Sequence, residues 1–153
     1  MENKTQRVSE IKSIALVAHD KKKEELVDWA YRFREGLMGH QLYATGTTGA
    51  ILEKRIQLPV CKLVSGPLGG DQQIGAMITE NKLDLLVFFL DPMQSQPHDP
   101  DIKALLRIAA VWNIPFACNQ STAEFVISSP LMSRDHDRVV PDYEQYLLTR
   151  PIE

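Results

Sequence analysis

Short apolar runs alternate along the chain with longer segments whose apolar residues recur at helical spacing. The runs predict five β-strands, at residues 11–18, 41–44, 60–64, 85–90 and 115–118, with one more short strand at 138–140. The remaining segments predict helices at 21–34, 48–57, 72–80, 99–112, 121–128 and 143–148. The run LLVFFL, residues 85–90, is the clearest strand, because uniform hydrophobicity suits a central parallel strand covered on both faces.

The regular alternation of strands and helices predicts a mainly parallel five-stranded sheet that is wrapped by helices. We therefore expect a three-layer α/β sandwich of the flavodoxin-like or Rossmann-like kind. No linker or repeat divides the sequence, so residues 1–153 are expected to form a single domain. In sheets of this kind, ligands bind outside the carboxyl ends of the strands.

Composition narrows the range of partners and locations. The chain is 44% hydrophobic and 24% charged, and its net charge of -3 gives no reason to expect nucleic acid or an anionic membrane as a partner. The polar N-terminus does not resemble a signal peptide, and the longest apolar run is too short to cross a bilayer, so we expect a cytoplasmic protein. Cys61 and Cys118 form no CxxC pair and are expected to be buried thiols in a reducing compartment.

Polar and glycine-rich residues follow every predicted strand, whereas the opposite edge of the sheet is plainer. In chain order these ends are His19-Asp20, TGTTG (45–49), SGPLGGD (65–71), DPMQSQPHDPD (91–101) and Asn119. Because the carboxyl ends of parallel strands meet at one edge of a sheet, we expect a functional site there.

The TGTTG loop has the residue types of a phosphate cradle. Glycine lets the backbone approach a ligand closely, threonine hydroxyls can donate to phosphate oxygens, and the following helix adds free N–H groups. A turn capped by threonines explains the motif equally well. Lys23, in the first turn after strand one, could add a cation, although a lysine within a KKK run is more often solvated.

The SGPLGGD loop can present backbone N–H groups to an anion and places Asp71 at the start of the third helix. Asp71 is then either a helix N-cap or a catalytic acid/base. A helix N-terminus stabilises a carboxylate, so we expect Asp71 to be ionised at neutral pH and able to accept a proton.

Histidines and carboxylates at the same edge favour acid/base chemistry. His98 and Asp101 lie in the run HDPD, Asp91 ends the central strand, and His19-Asp20 ends the first. A metal site is the rival interpretation, but there is no HxH or HExxH spacing and no thiol joins the set. His40 and His136 fall outside these groups and are expected at the surface.

The motifs together resemble the methylglyoxal synthase family over essentially the full length of the chain. The matching segments are IALVAHD, LYATGTTG, SGPLGGDQQIGA, DPMQSQPHDPDIKALLR, VWNIP and PDYEQYL. The allosteric domain of carbamoyl-phosphate synthetase and the cyclohydrolase domain of purine synthesis share the fold. The combination of His19-Asp20, SGPLGGD and HDPD resembles the synthases more closely.

The resemblance implies a carbon–oxygen lyase that converts dihydroxyacetone phosphate into methylglyoxal and inorganic phosphate. It also implies that no cofactor or metal is used, that the protein is a homohexamer, and that phosphate inhibits it. The implied catalytic residues are His19, Asp20, Asp71, Asp91, His98 and Asp101. The implied substrate- and phosphate-binding residues are His19, Lys23, Thr45, Gly46, Thr47, Thr48, Ser65, Gly66, His98 and Arg150.

Within this set, the resemblance makes Asp71 the base that removes a proton from the hydroxymethyl carbon and His98 the donor to the enediolate oxygens. His19 would orient the substrate oxygens, and Arg150 would reach the phosphate site of a neighbouring subunit. Two other classes of function remain open. A non-catalytic sensor of a phosphorylated nucleotide or metabolite would need the TGTTG loop but not Asp71, His98 and Asp101 together. A receiver-type phospho-acceptor would use Asp20 or Asp91 as the phosphorylated group, but this chain lacks the acidic pair after strand one and the lysine after the last strand that such domains have.

Overall fold

A computed structural model describes residues 1–150 and contains a five-stranded parallel sheet flanked by helices. The strands are β1 (Asn3–Val8), β2 (Ser13–Ala18), β3 (Gln41–Thr45), β4 (Val60–Leu63), β5 (Leu85–Phe89), β6 (Phe116–Ala117) and β7 (His136–Pro141). The helices are α1 (Lys23–Arg32), α2 (Arg34–Leu37), α3 (Gly46–Ile56), α4 (Gly70–Thr79), α5 (Asp99–Val111), α6 (Gln120–Ile127) and α7 (Tyr143–Thr149). No helix among the described residues is both long and apolar enough to cross a membrane.

The parallel sheet has the strand order β4-β3-β2-β5-β6. The chain builds outward from β2 in one direction through β3 and β4, and then in the other through β5 and β6. The order therefore reverses between β2 and β5, which pair in parallel from Ile14 opposite Leu85 to Ala18 opposite Phe89. A reversal of this kind opens a crevice at the carboxyl ends of the two strands.

Two apolar layers cover the two faces of the sheet, because alternate residues of each strand point in opposite directions. Ile14 and Leu16 of β2 pack with buried residues of α1, α3 and α6. Ala15 and Val17 of the same strand pack with buried residues of α4 and α5. The predicted three-layer α/β architecture and its parallel sheet are confirmed.

The main addition to the predicted fold is an antiparallel ribbon formed by β1 and β7, which we call the ribbon. Its register runs from Asn3 opposite Pro141 to Val8 opposite His136. The sequence predicted only the centre of β7 and no strand at the N-terminus. Of the β1 side chains, Val8 alone is buried, so the strand carries no apolar alternation and is held by backbone pairing.

Polar side chains join the ribbon to the amino-terminal edge of the sheet, and we call Lys12, His40, Asp84 and Arg138 the ribbon cluster. Lys12 and Arg138 are buried, and His40 and Asp84 are half-buried. Asp84 Oδ2 accepts the Ser13 N–H at 2.9 Å, and its Oδ1 lies 3.9 Å from Arg138 Nη1 on β7. The buried Lys12 ammonium donates to the carbonyl oxygens of Ser9 and Arg134. Burial of ionised groups is tolerated because each of these cations has a polar partner.

The expected burial of the two cysteines and the expected surface positions of His40 and His136 do not hold. Cys61 is exposed because β4 is an edge strand of the sheet, and Cys118 is half-buried. His40 is half-buried, since its Nδ1 accepts the backbone N–H of Lys12 at 3.0 Å. Burial lowers the pKa of His40 below its ordinary value, and the nearby Lys12 ammonium adds to the effect. His136 is also half-buried.

We predict that Asp84→Ala lowers the free energy of unfolding by about 2–3 kcal/mol, because it leaves the buried Arg138 guanidinium without its counter-charge. Urea unfolding would measure the change. The matched control is Glu80→Ala, which removes an exposed ion pair with Lys82 and should cost no more than about 0.5 kcal/mol. Equal stability of the two variants would contradict a structural role for the cluster.

Candidate functional site

A cavity of about 130 Å³ lies at the carboxyl ends of β2, β3 and β5, where the strand order reverses. The predicted site residues that line it are His19, Asp20, Lys23, Thr45, Gly46, Thr47, Thr48, Ser65, Gly66, Asp71 and His98. Four segments far apart in the sequence therefore converge on one small volume, at the edge of the sheet that the sequence indicated.

The TGTTG loop passes directly into α3, so its residues form the first turn of that helix. Gly46 has a φ of 52°, a conformation that glycine adopts without strain, and a Cβ there would lie 3.0 Å from the Ser65 side chain. Thr45 and Thr48 are buried, whereas Thr47 is exposed. The first backbone N–H groups of α3 have no intrahelical partners, so the loop offers amide and hydroxyl donors to an anion.

Lys23 contributes a cation to this group of donors. Its ammonium lies 2.6 Å from Asp20 Oδ1 and donates to Thr47 Oγ1 at 3.1 Å. The hydrogen bond from Lys23 lowers the pKa of Asp20, and the charge of the lysine acts in the same direction. Lys23 is thus oriented toward the TGTTG loop by a defined pair of contacts.

Close backbone packing holds the SGPLGGD loop against the TGTTG loop. The Ser65 carbonyl accepts the N–H groups of Leu68 and Gly70, each at 3.0 Å. A Cβ at Gly70 would lie 2.2 Å from the Val64 carbonyl oxygen and 2.8 Å from Thr45 Cγ2, so no larger residue fits there. Gly69, with a φ of 106°, is the N-cap of α4, and Asp71 is the second residue of the helix rather than its cap.

Asp71 is a buried carboxylate that faces His98. Asp71 Oδ2 lies 3.6 Å from His98 Nε2, and neither carboxylate oxygen has a hydrogen-bond partner within residues 1–150. Burial raises the pKa of Asp71, His98 opposes this rise, and the charge of Asp101 adds to it. The direction is the reverse of the expected effect of the helix end, because desolvation of the carboxylate outweighs the favourable dipole.

His19 is fixed in one orientation by the chain that follows β5. Its Nδ1 accepts the backbone N–H of Asp91 at 2.8 Å, and its ring packs edge-on against Phe88 at 5.2 Å between centroids. The neutral ring must therefore carry its proton on Nε2, which is buried and has no partner among the described residues. Burial lowers the pKa of His19, the nearby His98 lowers it further, and Asp91, Asp99 and Asp20 oppose the shift.

Three of the predicted site residues do not line the cavity. Asp91 acts on it through the backbone N–H that holds His19. Asp101 Oδ1 accepts from Gln72 at 3.3 Å, and the charge of Asp101 raises the pKa of Asp71. Arg150 follows α7, and its guanidinium lies 5.1 Å from the centre of the Tyr146 ring. Arg150 is therefore outside the site of its own chain.

Sequence reasoning missed residues that also line the cavity, notably Pro67, Phe88 and Gln96. Gln96 lies two residues before His98 in the same loop, so its proximity to a predicted site residue was the available signal. Phe88 gave no signal, because an aromatic residue within a buried strand looks like core. Its ring forms a wall of the cavity and supports His19.

The geometry suits proton transfer beside a bound anion. A cluster of hydroxyl, amide and ammonium donors lies next to an unpartnered carboxylate and to two imidazole nitrogens whose hydrogen-bonding capacity is unused. Gly66 lies between these groups, where a Cβ would be 3.0 Å from His98 Nε2 and 3.4 Å from Asp71 Oδ2. Over residues 1–150, no three His, Cys, Asp or Glu side chains are arranged to hold a metal ion.

Comparison with known proteins gives a consistent result. The family model described as MGS-like domain matches residues 25–118. The chain is 57% identical over 150 residues to a methylglyoxal synthase of Cellvibrio japonicus, with 98% of this chain and 97% of that protein covered. It is 56% identical over 153 residues to a methylglyoxal synthase of Pseudoalteromonas translucida, with 100% and 99% covered. The crystal structure of methylglyoxal synthase from Elizabethkingia anophelis has a TM-score of 0.88 at 47% identity, covering 98% of each chain.

We predict that His19 is neutral at pH 7 and carries its proton on Nε2, because Nδ1 accepts the Asp91 N–H and burial lowers its pKa. Nitrogen-15 NMR of the histidine side chains across a pH titration would measure both properties, with His19→Gln used to assign the signal. His40 is an internal reference for the Nε2-protonated form, since its Nδ1 also accepts a backbone N–H. A His19 ring protonated on Nδ1 at pH 7 would contradict the geometry.

Proposed function

The chain belongs to the methylglyoxal synthase family of lyases, and we propose that it converts dihydroxyacetone phosphate into methylglyoxal and inorganic phosphate as a bypass of lower glycolysis. The observation that carries this proposal is the Asp71–His98 pair, whose facing atoms are 3.6 Å apart beside a loop rich in anion donors. A cytoplasmic location is part of the proposal, because the substrate is a glycolytic intermediate.

The phosphate of the substrate would bind between the two glycine-rich loops. The donors available there are Lys23, Thr45, Gly46, Thr47, Thr48, Ser65 and Gly66, which contribute an ammonium group, hydroxyl groups and backbone amides. The fixed ammonium and the positive end of α3 both favour a doubly charged group. Phosphate bound here places the rest of a small substrate toward Asp71, because Gly66 adjoins both this group of donors and the carboxylate.

Asp71 then removes a proton from the hydroxymethyl carbon. The C–H electrons form a C=C bond, and the carbonyl oxygen becomes the enediolate oxygen. The raised pKa of Asp71 suits this step, since a base whose pKa lies closer to the working pH accepts a proton more readily. The imidazoles of His98 and His19 donate hydrogen bonds to the substrate oxygens and stabilise the charge that develops there.

Elimination completes the reaction without any further reactant. The hydroxyl oxygen of the intermediate gives up its proton and forms the aldehyde, while the C=C electrons shift toward the phosphate-bearing carbon. The C–O bond to phosphate breaks, and the phosphate leaves with the proton from that hydroxyl. The resulting enolate takes the proton held by Asp71 onto its methylene carbon to give methylglyoxal, which returns Asp71 to its ionised form. Asp91 positions His19 through its N–H, and the negative charge of Asp101 helps to raise the pKa of Asp71. Asp20 orients Lys23.

Assembly and inhibition form the remaining part of the proposal. Inorganic phosphate, which is also the product, would compete for the same donors and inhibit the enzyme. We propose a homohexamer in which Arg150 of one subunit completes the phosphate site of its neighbour. The position of Arg150 at the end of α7, outside the cavity of its own chain, is compatible with such a role.

We predict that the purified protein releases equal amounts of phosphate and methylglyoxal from dihydroxyacetone phosphate, and that Asp71→Asn lowers kcat by about 10³-fold, because the general base is lost. Coupled assays for phosphate, for the dicarbonyl and for glyceraldehyde 3-phosphate would separate elimination from isomerisation. Asp28→Asn, on the exposed side of α1, is the matched control and should keep the full rate.

The melting temperature of Asp71→Asn tests whether its loss of activity arises from unfolding. Asp71→Asn removes an ionisable group whose desolvation raises its pKa, so the melting temperature should be unchanged or higher. A near-normal rate in this variant would exclude Asp71 as the base. Binding of phosphate by calorimetry without any turnover by the unaltered protein would favour the metabolite-sensor alternative over the lyase.

We also predict that Arg150 acts between subunits. Arg150→Gln and Asp71→Asn should each be nearly inactive alone, and refolding the two variants together should restore part of the activity, because mixed assemblies contain sites with an intact Asp71 and a neighbouring Arg150. Activity of mixtures of different composition, checked for assembly by light scattering, measures this effect. No gain on mixing would place Arg150 in its own subunit's site or outside catalysis.

A further inference from the structure

A second and larger cavity, of about 310 Å³, lies at the amino-terminal edge of the parallel sheet, beside the ribbon. We call it the amino-edge cavity. It lies at the edge opposite the candidate active site and shares none of its lining residues. Residues of the ribbon, of the sheet edge and of α6 and the turn after it form its walls.

The walls of the amino-edge cavity are mainly apolar. Val8, Leu85 and Met132 are buried and form its inner part. Phe125 and Leu131 stand at its rim with 81% and 41% of their surface exposed, so apolar area remains accessible at the entrance. Apolar side chains left open around a concave site are typical of a site that accepts an apolar body.

The polar lining of the cavity combines two donors, Lys12 and His136, with the acceptors Asp84 and Ser129. The acceptors are already used, because Asp84 Oδ2 accepts the Ser13 N–H and Ser129 Oγ accepts the Leu131 N–H. Only 3% of the surface of Lys12 is exposed. Two of the three N–H groups of its ammonium donate to backbone carbonyl oxygens. His136 also lines the cavity, and its Nδ1 is buried without a partner in the described part of the chain. An ammonium N–H and an imidazole nitrogen can both donate to one acceptor placed between them.

The ribbon cluster contains more buried positive charge than negative charge. Lys12 and Arg138 are both buried cations, and Asp84 is the one carboxylate within the ribbon cluster. Both Asp84 oxygens are engaged, by Ser13 and by Arg138. The carboxylates of Asp135 and Glu10 also face Lys12 but are exposed, and Asp135 is shared with Arg7. A single acceptor-only anion would balance the second buried cation.

We propose that the amino-edge cavity binds a small monocarboxylic acid with an aromatic or branched apolar body. The carboxylate accepts from Lys12 and His136, and the body lies against Leu131, Met132 and Phe125. Phosphate is a poorer match, because it carries more than one negative charge and has no apolar part to fill the walls. This site does not depend on the chemistry proposed for the opposite edge.

The test compares phenylacetate with phenylacetamide, which has nearly the same shape but no charge. Amide NMR spectra and calorimetry of the full chain should show saturable binding of phenylacetate in the low-millimolar range or tighter, at least about tenfold stronger than binding of the amide. The shifts should centre on Val8, Leu85 and Val126. Equal binding of the two compounds, no saturation, or shifts centred on the His19–Asp71 cavity would overturn the proposal.

Variants at the rim keep the test independent of folding. Phe125→Ala should weaken phenylacetate binding at least about fivefold with little effect on stability, since its side chain is mostly exposed. Leu148→Ala, equally exposed on α7, is the matched control and should bind normally. If Phe125→Ala instead changes the molar mass in light scattering while phenylacetate fails to bind the unaltered protein, a second copy of the chain occupies this surface and the proposal is wrong.

Discussion

The parallel pairing of β2 with β5 is the constraint on which both the fold and the candidate site depend. These two strands are buried, and each contributes side chains to both apolar layers. The chain returns to β5 only after it has built one half of the sheet, so the connections after β2 and β5 diverge at their carboxyl ends. The gap that results exposes His19 and the loop before His98 to the same small volume. A change that separated the two strands would disrupt the core and the site together.

Two features organise the site: close backbone contacts between its loops, and the unfavourable burial of the Asp71 carboxylate. Gly46 and Gly70 bring two loops together at distances that no side chain would allow, and this packing encloses Asp71. The carboxylate then lacks the hydrogen bonds that would lower its pKa. Burial of this carboxylate lowers the stability of the folded protein and makes Asp71 more basic. Both effects are usual at a catalytic acid or base. His19 shows the complementary case, in which burial keeps an imidazole neutral and able to donate.

Much of the fold and of the site could be predicted because the signals are local. The run 85–90 is apolar throughout and short, which suits a strand covered on both faces. The glycine-rich loops fall directly after strands, and the parallel topology then brings them to one edge. The sequence could not predict β1, because its side chains are polar and its pairing partner lies far along the chain. Nor could it predict the direction of the Asp71 pKa shift, which depends on how completely neighbouring segments exclude water.

The ribbon has a consequence for how the molecule forms. Its two strands pair residues separated by about the whole length of the chain, such as Arg7 and Asp137, which are 130 positions apart. Contacts of such high sequence separation close the largest loop in the chain, so they are expected to form late in folding. During synthesis β1 is made before β7, so it stays unpaired until β7 has been made. Lys4 and Arg7 lie on this unpaired strand. Charged side chains on an unpaired strand disfavour pairing with strands of other chains before β7 is available.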